Sequence, residues 1–156
     1  MTAAADELTA SLKAVRLSPV YETEPMYRTD QPKFLNAVLE GRCHLEPESL
    51  LDATSAVERK FGRRRDSVPA KGPRPLDVDI LLYGSRVIRS TRLTVPHPGL
   101  CERRFVLEPL LQLAPQLTHP ETGLRLAALL QALPDQGVYC YRRNPYNPGS
   151  SKEHHT

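Results

Sequence analysis

The order of apolar stripes, prolines and turn signals predicts an α+β sandwich in which helices pack on an antiparallel sheet. Three observations carry that prediction. Between Pro47 and Gly62, the residues Leu50, Leu51, Thr54, Val57 and Phe61 fall on one helical stripe, opened by a first-turn proline and closed by a glycine. Residues 34–44 and 76–83 instead carry the period of two that marks strands. A turn at Gly84-Ser85 leads into a return strand through Val87 and Ile88, which reads as a hairpin with the second of these strands.

The remaining elements follow in chain order. Leu8, Leu12 and Val15 recur at helical spacing behind Asp6 and Glu7, so a short helix is expected to lead into an extended segment over residues 17–24, ended by Pro25. Asp30-Gln31-Pro32 marks a loop. In the strand over 34–44, Leu35, Ala37, Leu39 and Cys43 share one face, and Phe34, Asn36 and Val38 share the other. Beyond the central helix a basic loop runs from Arg63-Arg64-Arg65 to Lys71. Leu93-Thr94-Val95 then enters Pro96-His97-Pro98, a rigid elbow. Pro109 is expected to open a short helix ending before Pro115, and a last amphipathic helix to cover 124–133. From Pro134 onward Asn, Pro, Gly, Ser and charges dominate without periodicity. One domain over residues 1–133 and a disordered or loosely attached tail over 134–156 are therefore expected.

Bulk properties narrow the function classes. At 156 residues, 40% hydrophobic and 25% charged, the chain suits one core better than two separately folding ones. The net charge of +3 and pI near 8.9 rest largely on arginine, so the clustered arginines point to an anionic partner. Cys43, Cys101 and Cys140 are too scattered for a disulfide framework or a zinc knuckle, which fits a reducing compartment. The first residues lack the pattern of a secretory signal and no stretch approaches a membrane span, so a soluble, cytoplasmic protein without a membrane partner is expected. With 6% aromatics there is no stacking platform interleaved with basic residues, so nucleic acid is not expected as a partner.

The chemistry concentrates on residues 63–97. In Leu76-Asp77-Val78-Asp79-Ile80 the period of two sets both carboxylates on one strand face, roughly 7 Å apart, a hard-oxygen pair that suits one or two magnesium ions. Arg74, behind Gly72-Pro73, stands at the strand's entrance, and Arg63 and Arg65 alternate on the loop before it. His97, fixed between two prolines, suits a donor aimed at a phosphate. Phe34 and Asn36 share a strand face, offering a ring to stack on a heterocycle and an amide that donates and accepts. There is no Walker-type glycine loop, so phosphate binding falls to side chains and metal. These residues support a magnesium-nucleotide enzyme acting on a small aromatic alcohol or amine. A solvated edge-strand face, surface ion pairs and ordinary packing are the alternatives at this point.

The same residues carry a family resemblance. Ser18-Pro19-Val20-Tyr21-Glu22-Thr23-Glu24-Pro25, Asp30-Gln31-Pro32-Lys33-Phe34-Leu35-Asn36, Gly72-Pro73-Arg74-Pro75-Leu76-Asp77-Val78-Asp79 and Val95-Pro96-His97-Pro98 occur in this order. Over about residues 17–117 the chain resembles 6-hydroxymethyl-7,8-dihydropterin pyrophosphokinases. The resemblance implies a ferredoxin-like α+β fold and transfer of the ATP diphosphate to the pterin hydroxymethyl group, with AMP as co-product, in folate synthesis. It implies that Asp77 and Asp79 hold two Mg2+ ions and that Arg74 and His97 contact the nucleotide's phosphates. Arg63 and Arg65 match the arginines of a mobile loop that meets the reacting phosphates. Thr23, Phe34, Asn36 and Phe105 match pterin-pocket positions, with Phe34 and Phe105 as a stacking pair, and Glu58, Arg92 and Arg103 match further ATP-side positions.

The sequence also departs from that pattern. The family opens with a central strand and a Gly-Ser-Asn turn before its first helix, whereas this sequence starts at Met1-Thr2-Ala3-Ala4, inside that helix. A misplaced start, a strand over residues 138–141 filling the gap, or a fragment are the expectations that follow. A truncated, catalytically inactive homologue serving as a nucleotide-binding or interaction module is the alternative to an active enzyme. Ala70-Lys71 stand where many members have a tryptophan, which would weaken closure over the pterin. The block from Pro25-Met26-Tyr27 to Asn36 is more similar to eukaryotic forms fused to dihydropteroate synthase, which keeps an organellar origin open.

Overall fold

A computed structural model describes residues 2–24, 33–61 and 76–142. In chain order they form α1 (Thr2–Thr9), β1 (Leu12–Leu17), β2 (Val20–Thr23), β3 (Phe34–Asn36), β4 (Leu39–Cys43), α2 (Pro47–Phe61), β5 (Ile88–Arg89), β6 (Thr94–Val95), α3 (Arg104–Leu113), α4 (Leu126–Ala132) and β7 (Val138–Arg142). Helices and antiparallel pairs are mixed along the chain, so the fold class is α+β as expected. Two compact units divide it: Met1–Val15 with Gly41–His97, and Arg16–Glu40 with Pro98–Thr156.

In the first unit α1 packs against α2. Ala4 and Leu8 meet Val57 in a buried cluster, with Phe61, Leu76 and Val78 packed against it. The α2 helix forms where the stripe predicts it, with acidic Glu48 in its first turn and basic Arg59 and Lys60 in its last, the arrangement that complements the helix dipole. Leu12 and Val15 do not continue α1. The chain turns at Ala10 and Ser11 and the two residues enter β1, because hydrogen bonding to β4 outweighs a helical spacing of only three apolar residues. Gly41 permits that approach, since a Cβ there would lie 3.0 Å from the Leu12 Cβ.

Residues 76–83 belong to no ladder among the described residues, and the expected hairpin with Val87 and Ile88 does not form there. The Gly84 turn is present, at φ +56, closed by the Arg86 amide donating to the Tyr83 carbonyl. After it, β5 pairs instead with β6, Ile88 opposite Val95.

The second unit is built on a three-stranded sheet ordered β3-β2-β7, both pairs antiparallel, with α3 packed on β2 and β3 and α4 on α3. Leu17, Tyr21, Leu100, Val106, Leu107, Leu110 and Leu126 are its buried apolar residues. The strand expected over 34–44 breaks at Ala37 and Val38. Ser18 captures Val38 there, its backbone amide donating to the Val38 carbonyl and its Oγ accepting from the Val38 amide, each at 2.8 Å. The chain thereby exchanges partner, β3 pairing with β2 and β4 with β1.

Two further expectations are corrected here. The helix does not open at Pro109. It begins at Arg104, and Pro109 lies inside it, which leaves one ladder bond unmade while the apolar face of Val106, Leu107, Pro109 and Leu110 is buried. Nor are residues 134–142 a loose tail. Gly137 at φ +68 directs the chain into β7, which pairs with β2, Thr23 opposite Val138. The side chain of Gln136 binds both the Arg104 amide and the Glu102 carbonyl, and Arg104 returns hydrogen bonds to the carbonyls of Leu133 and Pro134. Residues 25–32, 62–75 and 143–156, where the loop at Asp30-Gln31-Pro32 and the basic loop were expected, lie outside the described residues.

Candidate functional site

In the first unit the alternation around the carboxylate pair is real. Leu76, Val78 and Ile80 are half-buried, while Asp77 and Asp79 are exposed. The inward Leu76 and Val78 pack against the cluster formed by Ala4, Leu8 and Val57, so hydrophobic burial turns the intervening carboxylates outward. With no ladder neighbour among the described residues, the Val78 amide donates instead to Oε1 of Glu58 on α2, at 2.9 Å. Further along, the His97 amide donates to the Leu81 carbonyl at 2.9 Å, which fixes the elbow against the carboxylate-bearing segment. Val95 and Pro96, joined by a cis peptide bond, are buried beneath it.

That anchoring places His97 Nε2 3.9 Å from Asp79 Oδ2, an ion pair whenever the imidazole is protonated. Arg92 pairs with two acids one helical turn apart on α2, Glu48 at 3.7 Å and Asp52 more closely. The Asp52 hydrogen bond, together with its charge, holds the guanidinium above its ordinary pKa.

In the second unit the pairing of Thr23 with Phe34 and of Tyr21 with Asn36 sets all four residues on one sheet face. That face looks toward α3, because the Tyr21 phenol lies among Glu108 and Gln112 of the helix and Cys140 of β7. Burial, reinforced by Cys140 and Glu108, pushes the Tyr21 pKa up against the opposing Gln112 hydrogen bond. Thr23 is buried, and its Oγ1 has no hydrogen-bond partner among the described residues, a costly condition unless something supplies one. Phe34, by contrast, is 45% exposed. Phe105 occupies the first turn of α3, with the Arg103 guanidinium carbon 5.7 Å from its ring centre.

The predicted site residues therefore fall into two sets. Glu58, Asp77, Asp79, Arg92 and His97 lie in the first unit, and Thr23, Phe34, Asn36, Arg103 and Phe105 in the second. Arg63, Arg65 and Arg74 lie outside the described residues. Sequence reasoning did not single out Gly99, where a Cβ would come within 2.6 Å of Arg103 Nε, so that its absence lets the guanidinium fold back on the chain. The only cue was a glycine after His97-Pro98. Among the described residues no three His, Cys, Asp or Glu side chains converge on a metal position. Two exposed carboxylates nonetheless fit magnesium, which takes one or two of them and completes its shell with water and phosphate.

Fold and side chains thus define an α+β protein with an acidic, imidazole-flanked segment in one unit and a ring-bearing sheet face in the other. The chain belongs to the 7,8-dihydro-6-hydroxymethylpterin-pyrophosphokinase family, whose model matches residues 1–115, and the family's fold is ferredoxin-like. It is 47% identical over 130 residues to the folic acid synthesis protein fol1 of Schizosaccharomyces pombe, covering 83% of this chain and 18% of that protein. A 2-amino-4-hydroxy-6-hydroxymethyldihydropteridine pyrophosphokinase of Pseudomonas aeruginosa is 44% identical over 126 residues, 81% of this chain and 76% of that one. A folate synthesis bifunctional protein of Arabidopsis thaliana is 46% identical over 102 residues, 65% of this chain and 21% of its own. The chain thus spans about a fifth of the fungal and plant relatives it matches. No helix among the described residues is long and apolar enough to cross a membrane.

Proposed function

We propose that this chain transfers the diphosphate of ATP to 6-hydroxymethyl-7,8-dihydropterin, releasing AMP, as a step of folate synthesis. The observation that carries the reading is the exposed Asp77–Asp79 pair, with Asp79 3.9 Å from His97, in a chain of this family. The pterin hydroxymethyl oxygen forms a bond to the β-phosphorus, the bond between that phosphorus and the α-β bridging oxygen breaks, and the bridging oxygen leaves with AMP. The hydroxyl proton passes to solvent. Such a transfer asks little covalent work of a protein and gains most from alignment and charge neutralisation.

In this reading Asp77 and Asp79 hold two Mg2+ ions, whose bound form neutralises phosphate charge. His97 donates to a phosphate oxygen, and Arg92 and Arg103 serve the nucleotide. For Arg92 this requires sharing with, or release from, Glu48 and Asp52. Arg63, Arg65 and Arg74 supply further positive charge on sequence grounds. Thr23, Phe34, Asn36 and Phe105 receive the pterin, and the Thr23 hydroxyl, without a partner among the described residues, supports that assignment because a bound heterocycle would satisfy it. Relatives named folate synthesis bifunctional proteins support association with a second activity of the same route, by the resemblance a dihydropteroate synthase, and some of these are named mitochondrial.

The test is to incubate the purified chain with Mg2+, ATP and the hydroxymethyl pterin and to separate the nucleotides. AMP is expected. ADP would indicate an ordinary kinase, and retained ATP binding without turnover would indicate the inactive module.

A further inference from the structure

The segment that carries the carboxylate pair has no ladder among the described residues, yet both carboxylates keep a defined direction. Two contacts achieve this, and both act on the residue between them. The Val78 side chain packs on the cluster of Ala4, Leu8 and Val57, and the Val78 amide donates to Glu58 Oε1 at 2.9 Å. Where burial alternates residue by residue, as it does from Leu76 to Ile80, fixing one residue's side chain and amide fixes the outward direction of both its neighbours. Glu58 stands next to Val57 on the buried side of α2 and is itself half-buried, so its carboxylate is delivered to that amide by a helix rather than a loop.

We infer that Glu58 is a positioning residue for Asp77 and Asp79, acting through the Val78 backbone amide as a side-chain substitute for a neighbouring strand. This rests on the magnesium reading above, and it predicts that Glu58 matters for its reach and its acceptor oxygen rather than for its charge. Glutamine at position 58 would keep both. Aspartate would keep the charge and lose the reach.

The test titrates Mn2+, as a paramagnetic stand-in for Mg2+, into the full chain with α,β-methylene ATP, following free Mn2+ by electron paramagnetic resonance, with circular-dichroism melts recorded in parallel. Glu58→Ala and Glu58→Asp are expected to weaken Mn2+ binding roughly tenfold, the usual effect of losing an outer support, while Glu58→Gln stays within about twofold of wild type. If Glu58→Ala fails to fold, the Asp and Gln variants decide the matter. Equal Mn2+ affinity in wild type and Glu58→Asp overturns the inference alone. Glu58→Gln as weak as Glu58→Ala, with both folded, also overturns it, because charge would then be what counts. Failure of the wild type to bind Mn2+ overturns the magnesium reading itself, and this inference with it.

Discussion

The two units place their chemistry on different kinds of backbone. In the first, Asp77 and Asp79 ride on a segment without a ladder among the described residues, held by half-buried Leu76 and Val78, a side-chain bond from α2 and the His97–Leu81 contact. In the second, Thr23, Phe34 and Asn36 sit in antiparallel pairs whose register is set by hydrogen-bonded neighbours. The carboxylates are exposed and the threonine is buried. The difference teaches that substitutions in the first unit should separate activity from stability, whereas in the second they should tie the two together.

The sharpest break is offered by Asp79→Ala. Turnover should fall on the order of 10³-fold, as for loss of a transition-state charge partner, and an exposed site should cost no more than about 0.5 kcal/mol of stability. Near-normal AMP release would remove the metal assignment. For the second unit the counterpart is Leu107→Ala, in a side chain with no exposed surface. A loss of about 2–5 kcal/mol in urea unfolding is expected, and a loss below about 1 kcal/mol would mean that α3 is not tightly packed there.

Thr23→Val sharpens the comparison further. Valine keeps the shape and removes a buried hydroxyl that has no partner among the described residues, so a gain of about 1 kcal/mol is expected, accompanied by a higher KM for the pterin at little-changed kcat. Unchanged KM would detach Thr23 from the substrate. The smallest effect is alkaline. A phenol with a raised folded-state pKa keeps its proton longer when folded than when unfolded. The contribution of Tyr21 is thus intact below about pH 10 and is lost as pH rises from that ordinary value through the higher folded one. Urea midpoints should fall across that window, and less steeply in Tyr21→Phe. Burial raises the Cys101 thiol as well, so a residual slope beginning near its ordinary value is expected in that variant.

Legibility in the sequence followed the same division. The α2 helix and the alternation at 76–80 could be read because one physical cause, burial of a single face, wrote a long enough pattern. Pairing could not be read that way. Nothing in residues 34–40 marks a break in sequence, and the exchange of partner at Val38 depends on Ser18, far away in the chain. β1 imitated a helical stripe because Leu8, Leu12 and Val15 keep helical spacing, and over so short a span pairing with β4 decides the conformation instead. A strand over 138–141 is one of three expectations for the missing family strand, set against a loose tail because of the proline, glycine and asparagine around it, and the match of Val138–Arg142 to β2 gives it a place. The Asp77–Asp79 pair was visible, but the Glu58–Val78 bond behind it was not, since nothing local in sequence connects a helix glutamate to a distant amide.

The pairing of β2 with β7 joins strands from near the two ends of the sequence. Closing so long a loop before its contacts are rewarded is slow compared with forming α2 or the turn at Gly84. During synthesis the carboxylate segment and its helix can emerge and pack early, while the sheet bearing Thr23 must wait for Val138–Arg142 to leave the ribosome.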